Sequence, residues 1–209
     1  MSFRILRHSS LRRQCSWRVL SCALFVLSGS AAARTQDRVP LPDLGALPEF
    51  SLIDEAQRPL TRQGMIGKVW VADFIFTRCA GQCPLMSGRM AALQQAFADA
   101  PDISLLSFTV DPAYDTPEHL AAYGAHYGAR PDRWRFLTGP PETVAGLIRQ
   151  GFHLAVGPEG SASEPITHSV RFVLVDRRAH VRGYYEATDP AALARLTDDA
   201  RHLLAEVRP

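Results

Sequence analysis

The sequence predicts an α/β sandwich: a central mixed sheet flanked by helices, with a hairpin at its N-terminal edge. Three observations carry the prediction. The run from Val69 to Phe76 is almost continuously apolar and β-rich, as in a strand covered on both faces of a parallel sheet. Met86, Met90, Leu93 and Phe97 then recur at helical spacing, so strand gives way to helix through a short loop. Late in the chain, residues 169–175 and 181–185 flank the polar stretch Asp176–His180, the pattern of an antiparallel hairpin.

The elements follow in order. Phe50–Ile53 and Pro59–Thr61, separated by Asp54–Gln57, suggest the edge hairpin. The strand at 69–76 leads to a helix that Pro84 can open and that ends near Ala100. Ile103–Val110 is a second buried strand. Asp111, Pro112 and Asp115 make the following turn, and Thr116-Pro117 supplies an N-cap and a first-turn proline for a helix through about Tyr127. Trp134–Leu137 reads as a short strand or loop, and Glu142–Gln150 as a helix bearing Val144, Leu147 and Ile148. After the hairpin, Asp189-Pro190 caps a last helix carrying Leu193, Leu196, Leu203 and Leu204. This order is that of a thioredoxin-like sandwich. With 209 residues, 46% of them apolar, one core is expected over residues 49–209.

Residues 1–33 have the character of an export segment. They hold five arginines and no acid, then an apolar run from Val19 to Leu27, then Ala31-Ala32-Ala33, which fits the small-x-small pattern of signal cleavage. An uncleaved anchor is the alternative, although Val19–Ala33 is shorter than the roughly 20 residues of a spanning helix. Residues 34–48, with Pro40, Pro42 and Pro48, read as a linker. The expected location is outside the cytoplasm, in the periplasm or on the outer face of the inner membrane. Taking five of the 23 basic residues and none of the 21 acidic ones turns a net charge of +2 into −3. No basic cluster is left to follow a phosphate backbone, which excludes a nucleic-acid role.

The same cut removes Cys15 and Cys22 and leaves Cys79 and Cys83 as the cysteines of the working protein. Four positions apart, they close a loop too small to brace a domain, so their purpose is chemical. Gly81 lets the loop curl, a helix start at Cys83 favours a thiolate, and Arg78 adds positive charge. The bland alternative is a structural disulfide or two small core residues. A metal needs further ligands, and six histidines remain: His119, His126, His153, His168, His180 and His202. On residues alone His168 ranks only modestly above the others, because it enters an apolar strand after a Gly/Pro/Ser-rich loop. Two thiolates and an imidazole suit Cu(I) or Cu(II), and Zn(II) accepts the same set.

The motifs Gly67-Lys68-Val69, Phe74-Ile75-Phe76-Thr77-Arg78-Cys79-Ala80-Gly81-Gln82-Cys83-Pro84, Val110-Asp111-Pro112, Asp115-Thr116-Pro117, Leu137-Thr138-Gly139 and His168-Ser169 together resemble the SCO/SenC family, in order from about Phe50 to Tyr185. The resemblance implies a thioredoxin-like metallochaperone that binds copper through Cys79, Cys83 and His168. It implies action on the copper-centre subunit of cytochrome c oxidase, with other copper chaperones or thiol–disulfide proteins as further partners and membrane association through the N-terminal segment. Thr167 stands where an aspartate often precedes the family's histidine, which bears on copper affinity and docking. Asp111 and Asp115 are left as turn and cap formers.

The main rival is a thiol:disulfide oxidoreductase using Cys79 and Cys83 as a redox pair, acting on exported proteins or on apo-oxidase cysteines. Three intervening residues rather than two speak against it, but both activities can share one site. A peroxidase of the peroxiredoxin type would need Thr and Pro where Phe76 and Ala72 stand. A copper or redox sensor lacks any output domain.

Overall fold

The Val69–Phe76 run is buried at every position, because its strand lies third from one edge of a seven-stranded sheet with helices on both faces. The computed structural model describes residues 39–157 and 166–206. The expected export segment, residues 1–33, lies outside the described residues, as does part of the loop before His168. The elements are β1 (Ser51–Asp54), β2 (Pro59–Thr61), α1 (Arg62–Met65), β3 (Val69–Ile75), α2 (Cys83–Ala96), β4 (Ile103–Thr109), α3 (Pro117–His126), β5 (Trp134–Thr138), α4 (Pro141–Gly146), β6 (Val156–Gly157), β7 (Thr167–His168), β8 (Arg171–Val175), β9 (Val181–Glu186) and α5 (Pro190–Ala205).

The sheet order is β2-β1-β5-β4-β3-β8-β9, with β3, β4 and β5 parallel and the outer pairs antiparallel. The expected sandwich is therefore the observed fold, and the predicted hairpins are β1–β2 and β8–β9. Alternation along the strands sorts the two faces. Asp73, Ser107 and Trp134 point toward α2, α3 and α5. There Ser87 of α2 meets Tyr123 of α3 at 2.8 Å, and Arg201 of α5 bonds the Ala96 carbonyl at the end of α2. Phe74 and Phe108 point the other way and pack edge-on against Phe152 at 5.1 and 5.3 Å. Phe152 is brought there by a wide helical turn, Leu147–Gly151, that continues α4.

Three boundaries differ from expectation for identifiable reasons. Helix α2 stops at Ala96, before Ala100, where Arg133 takes the carbonyls of Phe97 and Ala100. His168 lies in a separate two-stranded ribbon, β6–β7, paired with Val156, rather than in the strand that begins at Arg171. The stretch read as a linker is, from Leu41 to Leu47, bonded to the hairpin turn of β8–β9. Leu44 N donates to Val181 O, Leu47 N to Ala179 O, and Arg182 donates to the carbonyls of Leu41 and Pro42. Prolines break helical and strand periodicity, yet the N–H and carbonyl groups around them are what the domain holds.

At the opposite edge, Asp54 is fully buried and accepts from Arg58 Nε and Arg135 Nε, each at 2.8 Å, and from the backbone N–H groups of Ala56 and Arg58. These bonds hold its carboxyl below the usual range in spite of burial. Removing one member of such a pair leaves the other charge poorly compensated. Asp54→Ala is expected to lower unfolding stability by about 3 kcal/mol, read from urea transitions, and a loss under about 0.5 kcal/mol, the size of an ordinary surface change, would contradict this account.

Candidate functional site

The chain leaves β3 at Ile75, and Cys79 N donates to the Phe76 carbonyl at 3.1 Å, starting the loop that carries the pair. Residues 80–82 are exposed, and Cys83 opens α2 with Pro84 in the first turn, where a missing N–H costs nothing. Neither cysteine is in a disulfide. Cys79 is 8% exposed and Cys83 is 0% exposed, so one sulfur sits at the surface of the core and the other beneath it. Cys83 is hydrogen-bonded to Cys79 and to the Phe76 backbone. The structure thus brings the two predicted cysteines together.

The electrostatics differ from the expectation of an activated Cys83. Burial pushes its thiol above the ordinary range, and its hydrogen bond to Cys79 and the nearby charges of Cys79 and Asp73 push the same way. The helix start does not prevail, because a fully buried sulfur loses more solvation than a half-unit of dipole charge returns. Arg78 is also committed elsewhere: its Nε and Nη2 lie 2.9 and 2.7 Å from Asp111 Oδ2, and its guanidinium lies 4.6 Å from the Tyr114 ring. Nor does Gly81 adopt a left-handed conformation, since the positive-φ glycines among the described residues are Gly45, Gly67 and Gly128.

What fixes the loop is Asp115, read from sequence only as a turn former. Its carboxylate accepts from Thr77 N at 3.2 and 3.3 Å, from Thr77 Oγ1 at 2.5 Å, and from Thr109 Oγ1. Thr109 Oγ1 in turn receives Asp111 N at 3.0 Å. The ends of β3 and β4 are thereby locked together two residues before Cys79. Three donors on one acceptor, spread over Thr77, Thr109 and Asp115, are not visible as a linear motif.

Beneath the pair lies Asp73, a carboxyl with no exposure in the middle of β3. Ser107 Oγ donates to its Oδ1 at 2.5 Å, Trp134 Nε1 donates to Ser107 Oγ at 2.8 Å, and Oδ2 has no partner. Burial pushes this carboxyl up to about 7, against the counteracting Ser107 bond. Asp73 went unremarked in the sequence because the strand around it is otherwise apolar; a lone acid in such a run is the signal that would have marked it.

His168 is placed by its backbone alone, in β7; its side chain lies outside the described residues. Val156 and Gly157 of β6, with Ile166 just before β7, help line a cavity of about 290 Å³ that Val110 and Pro112 also line. Asp111, between those two, is the residue that holds Arg78. The ribbon therefore neighbours the segment that anchors the cysteine loop. Of the other histidines, His119 bonds the Tyr114 carbonyl, His180 bonds Asp43, and His202 lies 3.8 Å from Glu206. Among the described residues no group of three His, Cys, Asp or Glu side chains is arranged to hold a metal ion.

The comparisons with known proteins agree with this architecture. The SCO1/SenC family profile matches residues 43–204. The chain belongs to the SCO1/SenC family. It is 34% identical to the SCO1 protein homolog of Bacillus subtilis over 129 residues, 60% of this chain and 66% of that protein. A protein of Stutzerimonas stutzeri described as copper-binding is 27% identical over 184 residues, 86% of this chain and 89% of its own length. The solved structure of BsSco, a member of the Sco family of cytochrome c oxidase assembly proteins in which a disulfide switch was identified, superposes with a TM-score of 0.71 at 26% identity, covering 81% of this chain and all of that one.

Two predictions follow from the groups around the thiols. Asp73 titrates near 3.8 when unfolded and at about 7 when folded, so its neutral form favours the fold at low pH. That contribution is lost as pH rises from about 4 to about 7, because unfolding then releases a proton. Asp73→Asn should gain on the parent by a few kcal/mol across that window in guanidinium unfolding; parallel stability curves would refute the assignment. Asp115→Ala should free the loop and speed alkylation of Cys83 by iodoacetamide about tenfold or more, the factor that about 1.4 kcal/mol of lost anchoring gives. An unchanged alkylation rate would show that the loop is held by other contacts.

Proposed function

We propose that the chain is a copper chaperone that holds copper through Cys79, Cys83 and His168 and delivers it to, or matures, the CuA centre of cytochrome c oxidase. The observation that carries the reading is the pair of hydrogen-bonded thiols, not joined in a disulfide, at the turn from β3 to α2. Two soft sulfurs at one point suit Cu(I), and a histidine adds a third ligand that tolerates either copper state. Membership of the SCO1/SenC family supports the ligand set, as does the copper-binding relative. The oxidase partner rests on the family role attached to BsSco. An export segment at residues 1–33 would place the domain in the periplasm or at the outer face of the inner membrane.

The residues present fit a copper ion chemically. Bound copper takes the place of thiol protons, so binding releases protons. Asp115 holds the loop in place, and the buried position of Cys83 keeps that sulfur protonated and inert until metal arrives.

A second reading, thiol:disulfide exchange, is favoured by the hydrogen bond between Cys83 and Cys79, which keeps the sulfurs near one another. In that reaction the two thiols become a Cys79–Cys83 disulfide as a partner's disulfide becomes two thiols, so electrons and protons balance.

The test loads the reduced full chain with Cu(I) and with Cu(II) and measures affinity by competition with a chromophoric chelator. Cys79→Ala, Cys83→Ala and His168→Ala should each weaken binding by more than about a hundredfold, beyond the 10–100-fold typical of an outer-shell change. Undiminished affinity in all three would sink the ligand assignment. In parallel, reduction of a disulfide in the apo copper-centre domain should be slow relative to copper transfer; fast reduction with negligible copper affinity would replace the chaperone reading with the oxidoreductase one.

A further inference from the structure

A second cavity lies at the opposite end of the sheet, about 20 Å along β3 from the cysteine loop at the 3.3 Å rise of a parallel strand. Register places Trp70 opposite Ser104, and Leu106 opposite Arg135, so Trp70, Ser104 and Arg135 share one face where β3 and β4 begin. Together with Lys68, Arg133 and Asp132 they line a cavity of about 150 Å³.

The charges in this cavity are unevenly matched. Arg135 is paired with the buried Asp54. Asp132 is an exposed carboxylate facing Arg130 at 3.8 Å. Lys68 has no carboxylate within ion-pair distance among the described residues; its ammonium stands 6.0 Å from the Trp70 ring. Arg133 is buried, and it spends Nη2 on the carbonyls of Phe97 and Ala100 without any acid at ion-pair distance. Asp99, which feels its charge, is held by both terminal nitrogens of Arg201. Ser104, 4% exposed, keeps an Oγ with no hydrogen-bond partner.

Two cations without acids, a buried hydroxyl without a partner and a small cavity between them are the complement of a compact dianion with several acceptor oxygens. We propose that this cavity binds a phosphate-type oxyanion, with Lys68 and Arg133 balancing its charge and Ser104 donating its hydroxyl. The same chemistry is offered by free inorganic phosphate and by an anionic lipid headgroup. Arg133, whose amine closes the carbonyls after α2, ties such an anion to the end of the helix that begins at Cys83. A monoanion such as chloride fills fewer of these donors, so the site prefers phosphate at equal ionic strength.

The experiment titrates the full chain with inorganic phosphate against chloride at matched ionic strength, following Tm and backbone amide shifts. Phosphate should raise Tm by several degrees as it exceeds its Kd about a hundredfold, with shifts at Ser104 and Arg133. Lys68→Met and Ser104→Ala, neither of which removes a bond that the fold uses, should each weaken phosphate binding about tenfold. Sedimentation with phosphatidylglycerol vesicles separates the sources: phosphate-sensitive co-sedimentation identifies a headgroup, and phosphate binding without co-sedimentation identifies the free anion. No preference for phosphate over chloride, or equal binding in both variants, would overturn the site.

Discussion

Asp115 is the acceptor on which the cysteine loop depends. Its oxygens take the N–H and hydroxyl of Thr77 and the hydroxyl of Thr109, and its own N–H is spent on the Asp111 carbonyl at 2.9 Å. Each bond is modest by itself. Together they join the C-terminal ends of two parallel strands at the place where a sheet of this kind opens to ligands. Thr77 cannot move without breaking a buried network, so Cys79, two residues on, inherits the position of β3. Asp111 extends the same segment outward, gripping Arg78 against Tyr114. The loop is anchored on its N-terminal side by acids and on its C-terminal side by α2.

That anchoring has an electrostatic consequence. The groups nearest the thiols are arranged to keep Cys83 protonated, through burial and through its bond to Cys79, and Asp73 lies beneath them as a carboxyl that burial also keeps neutral to about pH 7. Ionising either one raises the cost of ionising the other, since both would place negative charge in the same desolvated space. A soft cation changes the sign of that interaction: once it takes the sulfurs' protons, negative charge below it is stabilising rather than costly. The arrangement disfavours a free thiolate, and under the proposed function a bound cation would offset that cost.

How much of this was legible follows from the range of each interaction. The strand at 69–75, the helix at 83–96 and the capped starts at Thr116 and Asp189 are local patterns, set by period, prolines and cap residues within a few positions. The cysteine pair was legible for the same reason. Asp115 and Asp73 were not, because what makes them matter is contact across 38 residues to Thr77 and across 34 to Ser107. The stretch from Leu41 to Leu47 was misread for a related reason: it has no period of its own, and its bonds go to Ala179–Arg182, far along the chain. His168 is intermediate, since the family motif marks it while its ribbon with Val156 depends on a pairing no local pattern announces.

The Leu41–Leu47 segment also bears on the sheet itself. β9 is an edge strand, and an open edge offers unpaired N–H and C=O groups to other chains. Here the start of that edge is covered: Val181 N donates to Gly45 O, Leu44 N donates to Val181 O, and His180 bonds Asp43 through its ring. The other edge, β2, is only three residues long and leads straight into α1, a second way of denying a partner a template. With both edges blunted, the exposed apolar side chains nearest the chemistry are Leu85 and Tyr114, one just after Cys83 and the other stacked between Arg78 and His119. Strand addition is thereby disfavoured at both edges, and under the proposed function the surface around the thiols is where a partner would meet the chain.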